Sequence, residues 1–208
     1  MKLYYATGTC SLWPHIVALE SGVSLQLEKV DIGKSPRVTE TGASYATVNP
    51  NGYVPALELD DGTVLIEGVA IAQYLADLAP EAGLVPAGRT PERYRFLSWL
   101  NFVATELHKS YSPWLFHPEY GKQAQDVARK RIADRLAYVE SQLAAGGPHL
   151  LGEKFTAADA YLFTIVGWSA FTGVSLAAYP RLRAFMESVG ARPSVREAMQ
   201  SQGMKLAA

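Results

Sequence analysis

Hydrophobic and polar positions follow two different periods in the first 78 residues of the chain. Short β-prone runs at 2–6 and 25–32 flank a segment, 11–21, whose apolar residues Leu12, Ile16 and Leu19 have helical spacing. A hairpin pattern over 54–68 precedes a second helical stripe over 69–78. Residues 33–52, rich in Gly, Pro, Ser, Thr and Asn, predict a loop with one irregular helix at most. This order predicts a mixed sheet with helices on its faces.

From residue 91 onward the pattern is helical. Apolar stripes predict helices around 96–107 and 132–143, and further helices are predicted over 155–166, 179–190 and 192–203. At the third of these helices, Thr156 and Asp159 predict a capping box with Phe155 as its hydrophobic staple. Two prolines and two glycines mark residues 80–90 as a linker. We therefore expect an α/β domain over 1–79 and an all-α domain over 91–208.

Composition and charge exclude several classes of protein. A net charge of -1 provides no basic field for nucleic acid or an anionic membrane, and no apolar run reaches the length of a membrane helix. The N-terminal segment lacks the pattern of a signal peptide. One cysteine allows no internal disulfide and no zinc site of clustered thiolates, so we predict no metal and a cytoplasmic protein.

The single cysteine, Cys10, lies directly before the first predicted helix. Unpaired N–H groups and the helix dipole stabilise a thiolate at such a position. A buried structural cysteine is an equally good interpretation, because free cysteines are often buried. Trp13 occupies the place of the resolving cysteine in a C-x-x-C motif. A dithiol oxidoreductase is therefore disfavoured, whereas a site that meets an external thiol stays open.

Two further segments lie at the edges of predicted strands. Pro55 begins a strand, and a cis bond there turns the backbone of Val54 toward an extended peptide, although an ordinary edge-strand proline is the more common case. Glu67 and Gly68 stand where a strand gives way to a helix. The Glu67 carboxylate suits an ammonium group, and the Gly68 N–H suits a carboxylate. Acidic residues near helix starts are common, however.

A polar stripe accompanies the apolar one on the helix after the linker. Asn101, Thr105, His108 and Ser112 have i, i+4, i+7 and i+11 spacing and are uncharged apart from the histidine. Solvated helix faces mostly carry Lys and Glu. The stripe therefore favours the wall of a polar cleft.

The motifs together resemble cytosolic glutathione transferases, in particular the bacterial beta class. The resemblance covers nearly the whole chain, from "KLYY" and "CSL" through "VNPNGYVPALELDDGTVLIEGVAIAQYLAD" and "WLNFVATELHKSYSP" to "FTAADAYLFT". It implies a thioredoxin-like N-terminal domain, a helical C-terminal domain, a homodimer, and glutathione as cosubstrate bound across the two domains.

The resemblance also assigns roles to individual residues. It implies catalytic roles for Cys10, Ser11 and His108. For glutathione it implies contacts by Val54, Pro55, Glu67, Gly68, Asn101, Thr105, Glu106 and Leu107. Lys109 directly follows His108 and is a further candidate, because it adds positive charge for binding glutathione. A lysine that follows the second strand in the family corresponds to Lys34, with Ser35 beside it, and Arg37 is a weaker candidate. His15 is interpreted as structural, and Tyr111, Trp114 and Phe116 as either acceptor pocket or core.

We therefore expect an enzyme that transfers glutathione to hydrophobic electrophiles, with thiol–disulfide exchange or peroxide reduction through Cys10. A different acceptor reaction, dehalogenation or isomerisation, uses the same glutathione site. The alternative from another class is a non-catalytic interaction or ligand-binding protein of the same fold. The retained Cys10, Pro55, Glu67 and His108 favour the enzyme.

Overall fold

The computed structural model describes residues 1–204, which form two compact units. Residues 1–85 and 192–204 make up an α/β unit, and residues 86–191 make up a helical unit. The boundary between residues 85 and 86 falls inside the predicted linker. The segment from residue 192 belongs to the α/β unit, because its helix packs on the first helix of the chain. The sequence analysis placed this segment in the all-α domain.

A five-stranded mixed sheet forms the centre of the α/β unit. Its strands are β1 (Lys2–Tyr5), β2 (Gln26–Asp31), β3 (Val38–Thr39), β4 (Ala56–Glu58) and β5 (Val64–Ile66), in the order β3-β2-β1-β4-β5. β1 and β2 are parallel with Leu3 opposite Leu27, and the other pairs are antiparallel. The mixed sheet confirms the predicted fold class. β3 was not predicted, because a two-residue strand is too short to show alternation.

Three helices belong to this unit: α1 (Leu12–Glu20), α2 (Gly68–Asp77) and α9 (Pro193–Ser201). α2 packs on β4 and β5, and α1 packs between α2 and α9. In this core Leu3, Ile16, Leu57 and Ile71 are completely buried. Glu20 at the end of α1 accepts hydrogen bonds from Arg192 Nε at 2.6 Å and Nη2 at 2.8 Å, and from the Ser194 hydroxyl. These contacts hold the start of α9 against the end of α1.

The helical unit contains α3 (Pro91–Phe102), α4 (Lys109–Tyr111), α5 (Lys122–Gly146), α6 (Ala157–Gly167), α7 (Ser169–Thr172) and α8 (Pro180–Gly190). A π-helical segment, Val103–His108, connects α3 to α4. The predicted capping box is confirmed at α6, where Asp159 accepts the Thr156 N–H and hydroxyl at 2.8 and 2.7 Å. Within residues 1–204 no helix combines the length and apolarity needed to cross a membrane.

Candidate active site

Cys10 lies in a tight loop that runs from Ala6 to the start of α1. Its side chain is partly buried, and Sγ–H donates to the Val54 carbonyl at 3.4 Å. Ser11 precedes the first residue of α1 and is completely buried. The Ser11 hydroxyl accepts the Ala6 N–H at 3.2 Å and lies 2.8 Å from the Thr9 hydroxyl. These hydrogen bonds hold the loop in shape, and the catalytic role that the resemblance implies for Ser11 stays a prediction.

The Val54–Pro55 peptide bond is cis, one of the two possibilities left open by the sequence. The loop before it is braced by Tyr45 and Asn49, which both donate to the Tyr53 carbonyl, at 2.9 and 2.7 Å. Pro55 is buried and leads directly into β4. The bracing fixes the backbone of Val54 beside the thiol.

Glu67 has an unusual backbone conformation for a residue with a side chain, with φ of 69° and ψ of 113°. Such conformations cost energy and cluster at ligand sites. Its exposed carboxylate stands at the start of α2. A Cβ on the next residue, Gly68, would lie 3.4 Å from the Trp13 ring and 3.7 Å from Pro55. Trp13, in the position of a resolving cysteine, thus packs against the start of α2.

These contacts bring three separate segments of the sequence together within the α/β unit. Cys10 touches Val54, and Gly68 packs between Trp13 and Pro55. The result is a thiol, a strand-edge backbone and a helix start as neighbours, which is an arrangement able to hold an extended peptide with an anionic sulfur.

The basic residues predicted for the loop after β2 have other contacts. Lys34 forms an exposed ion pair with Asp31 at 3.3 Å. It lines a cavity of about 620 Å³ with Thr7 and Ile32, whereas Cys10 and Val54 do not line it. Arg37 donates to the Gly52 carbonyl and stacks over the Tyr53 ring. Arg37 therefore braces the loop before Val54, and Lys34 with the adjacent Ser35 stays the candidate for binding a carboxylate.

The predicted residues of the helical unit concentrate in the π segment. Thr105, Glu106, Leu107 and His108 all lie within Val103–His108, and π turns inside helices are frequent at functional sites. The π segment departs from the α-helical geometry that the predicted i, i+4, i+7 spacing assumes. Ser112 follows α4 with an extended backbone.

The side chains of this segment differ in accessibility. Asn101 and Thr105 are exposed and donate to carbonyls one turn earlier, at 3.0 and 2.9 Å. Leu107 is completely buried, so its side chain serves the core. Glu106 accepts hydrogen bonds from Arg135 and Arg131, which lower the pKa of its carboxyl.

His108 is held by aromatic residues that the sequence analysis missed. Its Nδ1 lies 2.7 Å from the Tyr161 hydroxyl, and its ring packs edge-on against Trp168 with centroids 4.9 Å apart. Burial, aided by the charge of Lys109, lowers the pKa of His108 to about 4, so the imidazole is neutral at pH 7. Tyr161 and Trp168 have i, i+7 spacing, which was the available signal for a shared helix face.

The three aromatic candidates for an acceptor pocket separate in the structure. Tyr111 is completely buried and bonds the Ser169 hydroxyl at 2.7 Å, which identifies it as core. Phe116 packs edge-on against Trp168, which also contacts His108. Trp114 lines a different cavity of about 440 Å³, together with Lys109. No cluster of three potential metal ligands occurs among residues 1–204.

Comparison with known proteins matches both units to one family. Residues 8–78 match a family model described as the N-terminal domain of glutathione S-transferase, and residues 105–202 match its C-terminal domain. The glutathione S-transferase GstA of Escherichia coli O157:H7 is 43% identical over 205 residues, which cover 99% of this chain and 100% of that protein.

Solved structures give the same result. A sphingomonad glutathione S-transferase complexed with glutathione is 41% identical with a TM-score of 0.92. A bacterial beta class glutathione S-transferase from Sphingomonas chungbukensis is 40% identical with a TM-score of 0.93. Each comparison covers 99% of this chain and 100% of the other.

Proposed function

The chain belongs to the glutathione S-transferase family and is a glutathione transferase of the bacterial, beta-class type, and we propose that its Cys10 region binds the glutathione sulfur. The observation that carries the proposal is the Cys10 Sγ–H to Val54 carbonyl contact of 3.4 Å. It joins the thiol to the backbone segment that suits an extended tripeptide.

Each part of glutathione has a proposed partner in the α/β unit. The backbone of Val54, fixed by Pro55, pairs with the cysteinyl main chain. Glu67 binds the γ-glutamyl ammonium, and the N–H of Gly68 at the start of α2 binds the neighbouring carboxylate. We propose that Lys34 and Ser35 bind the glycine carboxylate, because the lysine then places one positive charge opposite one negative charge.

Activation of the sulfur requires a thiolate. A free thiol with a pKa of about 8.5 is mostly protonated at pH 7, and each unit by which a site lowers that value corresponds to about 1.4 kcal/mol. The positive end of the α1 helix dipole supplies part of this stabilisation. The resemblance assigns further contacts to the helical unit, and we propose the same for Asn101, Thr105, Glu106, the Leu107 backbone, His108 and Lys109. Because His108 is neutral, it acts by hydrogen bonding and not by charge.

The acceptor reactions follow from the two thiols. In conjugation, the glutathione thiolate displaces a leaving group from a hydrophobic electrophile, and the exposed ring of Phe116 provides apolar surface for it. In disulfide exchange, the Cys10 thiolate attacks the glutathione sulfur of a mixed disulfide between glutathione and a second thiol, forms a Cys10–glutathione disulfide and releases the second thiol as its thiolate. A second glutathione thiolate then attacks the Cys10–glutathione disulfide, which releases Cys10 and gives glutathione disulfide. We also propose a homodimer and a cytoplasmic location, where such thiols stay reduced.

Replacement of Cys10 separates the two reactions. We expect Cys10→Ala to abolish glutathione-dependent reduction of a mixed-disulfide substrate and to retain conjugation of an aryl halide. Cys10→Ser controls for the loss of a polar group. Unchanged rates of both reactions in Cys10→Ala contradict the placement of this thiol at the reacting sulfur.

Retention on immobilised glutathione tests binding independently of turnover. We expect Glu67→Gln to weaken retention by about tenfold or more, since a hydrogen bond to a charged group contributes about 1.5–3 kcal/mol. Glu81→Gln, at another exposed glutamate of the same unit, is the matched control. Failure of the unmodified protein to bind glutathione favours the non-catalytic alternative.

A further inference from the structure

The last described helix of the chain ends against the loop that carries Cys10. α9 packs on α1 and belongs to the α/β unit. The residue after α9, Gln202, is 1% exposed. It is therefore a polar side chain buried beside the loop, although it lies 192 positions away from Cys10 in the sequence.

Gln202 contacts both ends of that loop. Its backbone carbonyl accepts the Thr7 hydroxyl at 2.8 Å, so Thr7 satisfies a carbonyl left unpaired by the end of the helix. Its side-chain Nε2 lies 3.4 Å from the Ser11 carbonyl and 3.3 Å from His15 Nδ1. Burial lowers the pKa of His15 to about 4, so this ring is neutral and able to accept a hydrogen bond.

The buried amide is incompletely satisfied, which indicates that packing alone does not explain it. Within the part of the chain that the structure describes, Gln202 Oε1 has no hydrogen-bond partner. An apolar side chain of similar length would fill the same volume without that unpaired atom. The Gln202 backbone N–H donates to the Ala198 carbonyl within α9, whereas its carbonyl and its side-chain Nε2 contact the loop and α1.

We propose that Gln202 is a positioning residue for Cys10, because it ties Thr7 and Ser11 on either side of the thiol to the end of α9. The inference rests on the proposed role of Cys10 in glutathione chemistry. With both ends of the loop held, the sulfur stays beside the Val54 carbonyl, just before the start of α1, where the helix dipole favours an anion. Release of either end lets the sulfur move away from this position, and the thiolate loses stabilisation.

The single cysteine makes the test specific, since iodoacetamide then labels one defined thiol without glutathione present. The informative variants are Gln202→Met, which keeps the length of the side chain, and Thr7→Val, which keeps its shape. The controls are Gln200→Met, at an exposed residue of α9, and Thr7→Ser, which retains the hydroxyl. The alkylation rate is measured from pH 5 to 9, and thermal unfolding of each variant is recorded.

We expect Gln202→Met and Thr7→Val to react about three- to tenfold more slowly at pH 7, as for the loss of one hydrogen bond, with the rate profile displaced to higher pH. Both controls stay within about twofold of the unmodified protein. A purely structural role predicts the opposite sign, because loosening exposes the thiol and speeds alkylation. Equal or faster reaction of Gln202→Met and Thr7→Val overturns the inference. Since the assay contains no glutathione, failure of glutathione binding by the unmodified protein is a separate result and counts against the proposed function.

Discussion

A buried histidine, His15, and a partly buried one, His108, predict that the protein loses stability in mildly acidic solution. Burial lowers the pKa values of His15 and His108 from 6.5 to about 4. The unfolded chain therefore binds protons at these positions from about pH 6.5 downward, whereas the folded protein does not do so until about pH 4. Since stability rises with pH wherever the unfolded state holds more protons, it must fall as the pH drops from 6.5 toward 4.

The size of the effect follows from these values. For one histidine, with pKa values of 6.5 unfolded and about 4 folded, linkage gives a loss of about 2 kcal/mol between pH 7 and pH 5. The two residues lie in different units, so their losses add to about 4 kcal/mol. That is a large part of the stability of a typical domain. Asp159 acts in the opposite direction, because burial raises the pKa of its carboxyl.

Differences between variants isolate the histidines from Asp159 and other carboxyls. Urea unfolding at pH 8, 7, 6 and 5 gives the free energy of unfolding for the unmodified protein, His15→Gln and His108→Gln. Each variant is expected to lose about 2 kcal/mol less than the unmodified protein between pH 7 and 5. Between pH 8 and 7, where neither ring titrates, the offset of each variant should stay constant.

A pH dependence that is the same in both variants as in the unmodified protein refutes the reasoning, because it places the histidine pKa values near those of the unfolded chain. If only one variant loses less stability than the unmodified protein between pH 7 and 5, the reasoning is refuted for the histidine replaced in the other variant. Proton NMR of the imidazole rings provides the direct measurement of each pKa.

Two further predictions concern single contacts. Tyr161→Phe removes the 2.7 Å hydrogen bond to His108 and should lower the free energy of unfolding by about 1–3 kcal/mol. The control, Tyr179→Phe, removes an exposed hydrogen bond to the Ala133 carbonyl and should lower it by less. Equal losses in urea unfolding contradict the stabilising role of the Tyr161–His108 hydrogen bond. Glu20→Ala should destabilise the attachment of α9 by about 2 kcal/mol and speed its proteolysis. Although burial raises the pKa of Glu20, hydrogen bonds from Arg192 and Ser194 outweigh this and lower it, so the stabilisation is present above the ordinary Glu pKa and declines as the pH falls below it. Proteolysis that is equally rapid in both proteins at pH 7 contradicts this role.

Local periodicity and motif spacing predicted the fold class and several helix boundaries. The alternation of short β-prone runs with helical stripes predicted the mixed sheet, and Thr156 with Asp159 predicted the start of α6. Such signals are readable because they depend on residues within one or two turns of each other. The resemblance to the transferase family then singled out Cys10, Val54 and Glu67 as one group.

Only the tertiary structure decided the features that depend on distant contacts. The π segment at Val103–His108 interrupts a pattern that looks α-helical, since backbone hydrogen bonding there is set by packing and not by residue type. Tyr161 contacts His108, which lies 53 positions earlier in the sequence. Gln202 contacts the loop that carries Cys10, which lies 192 positions earlier. A side chain's neighbours across the core determine such contacts, and no local period in the sequence records them.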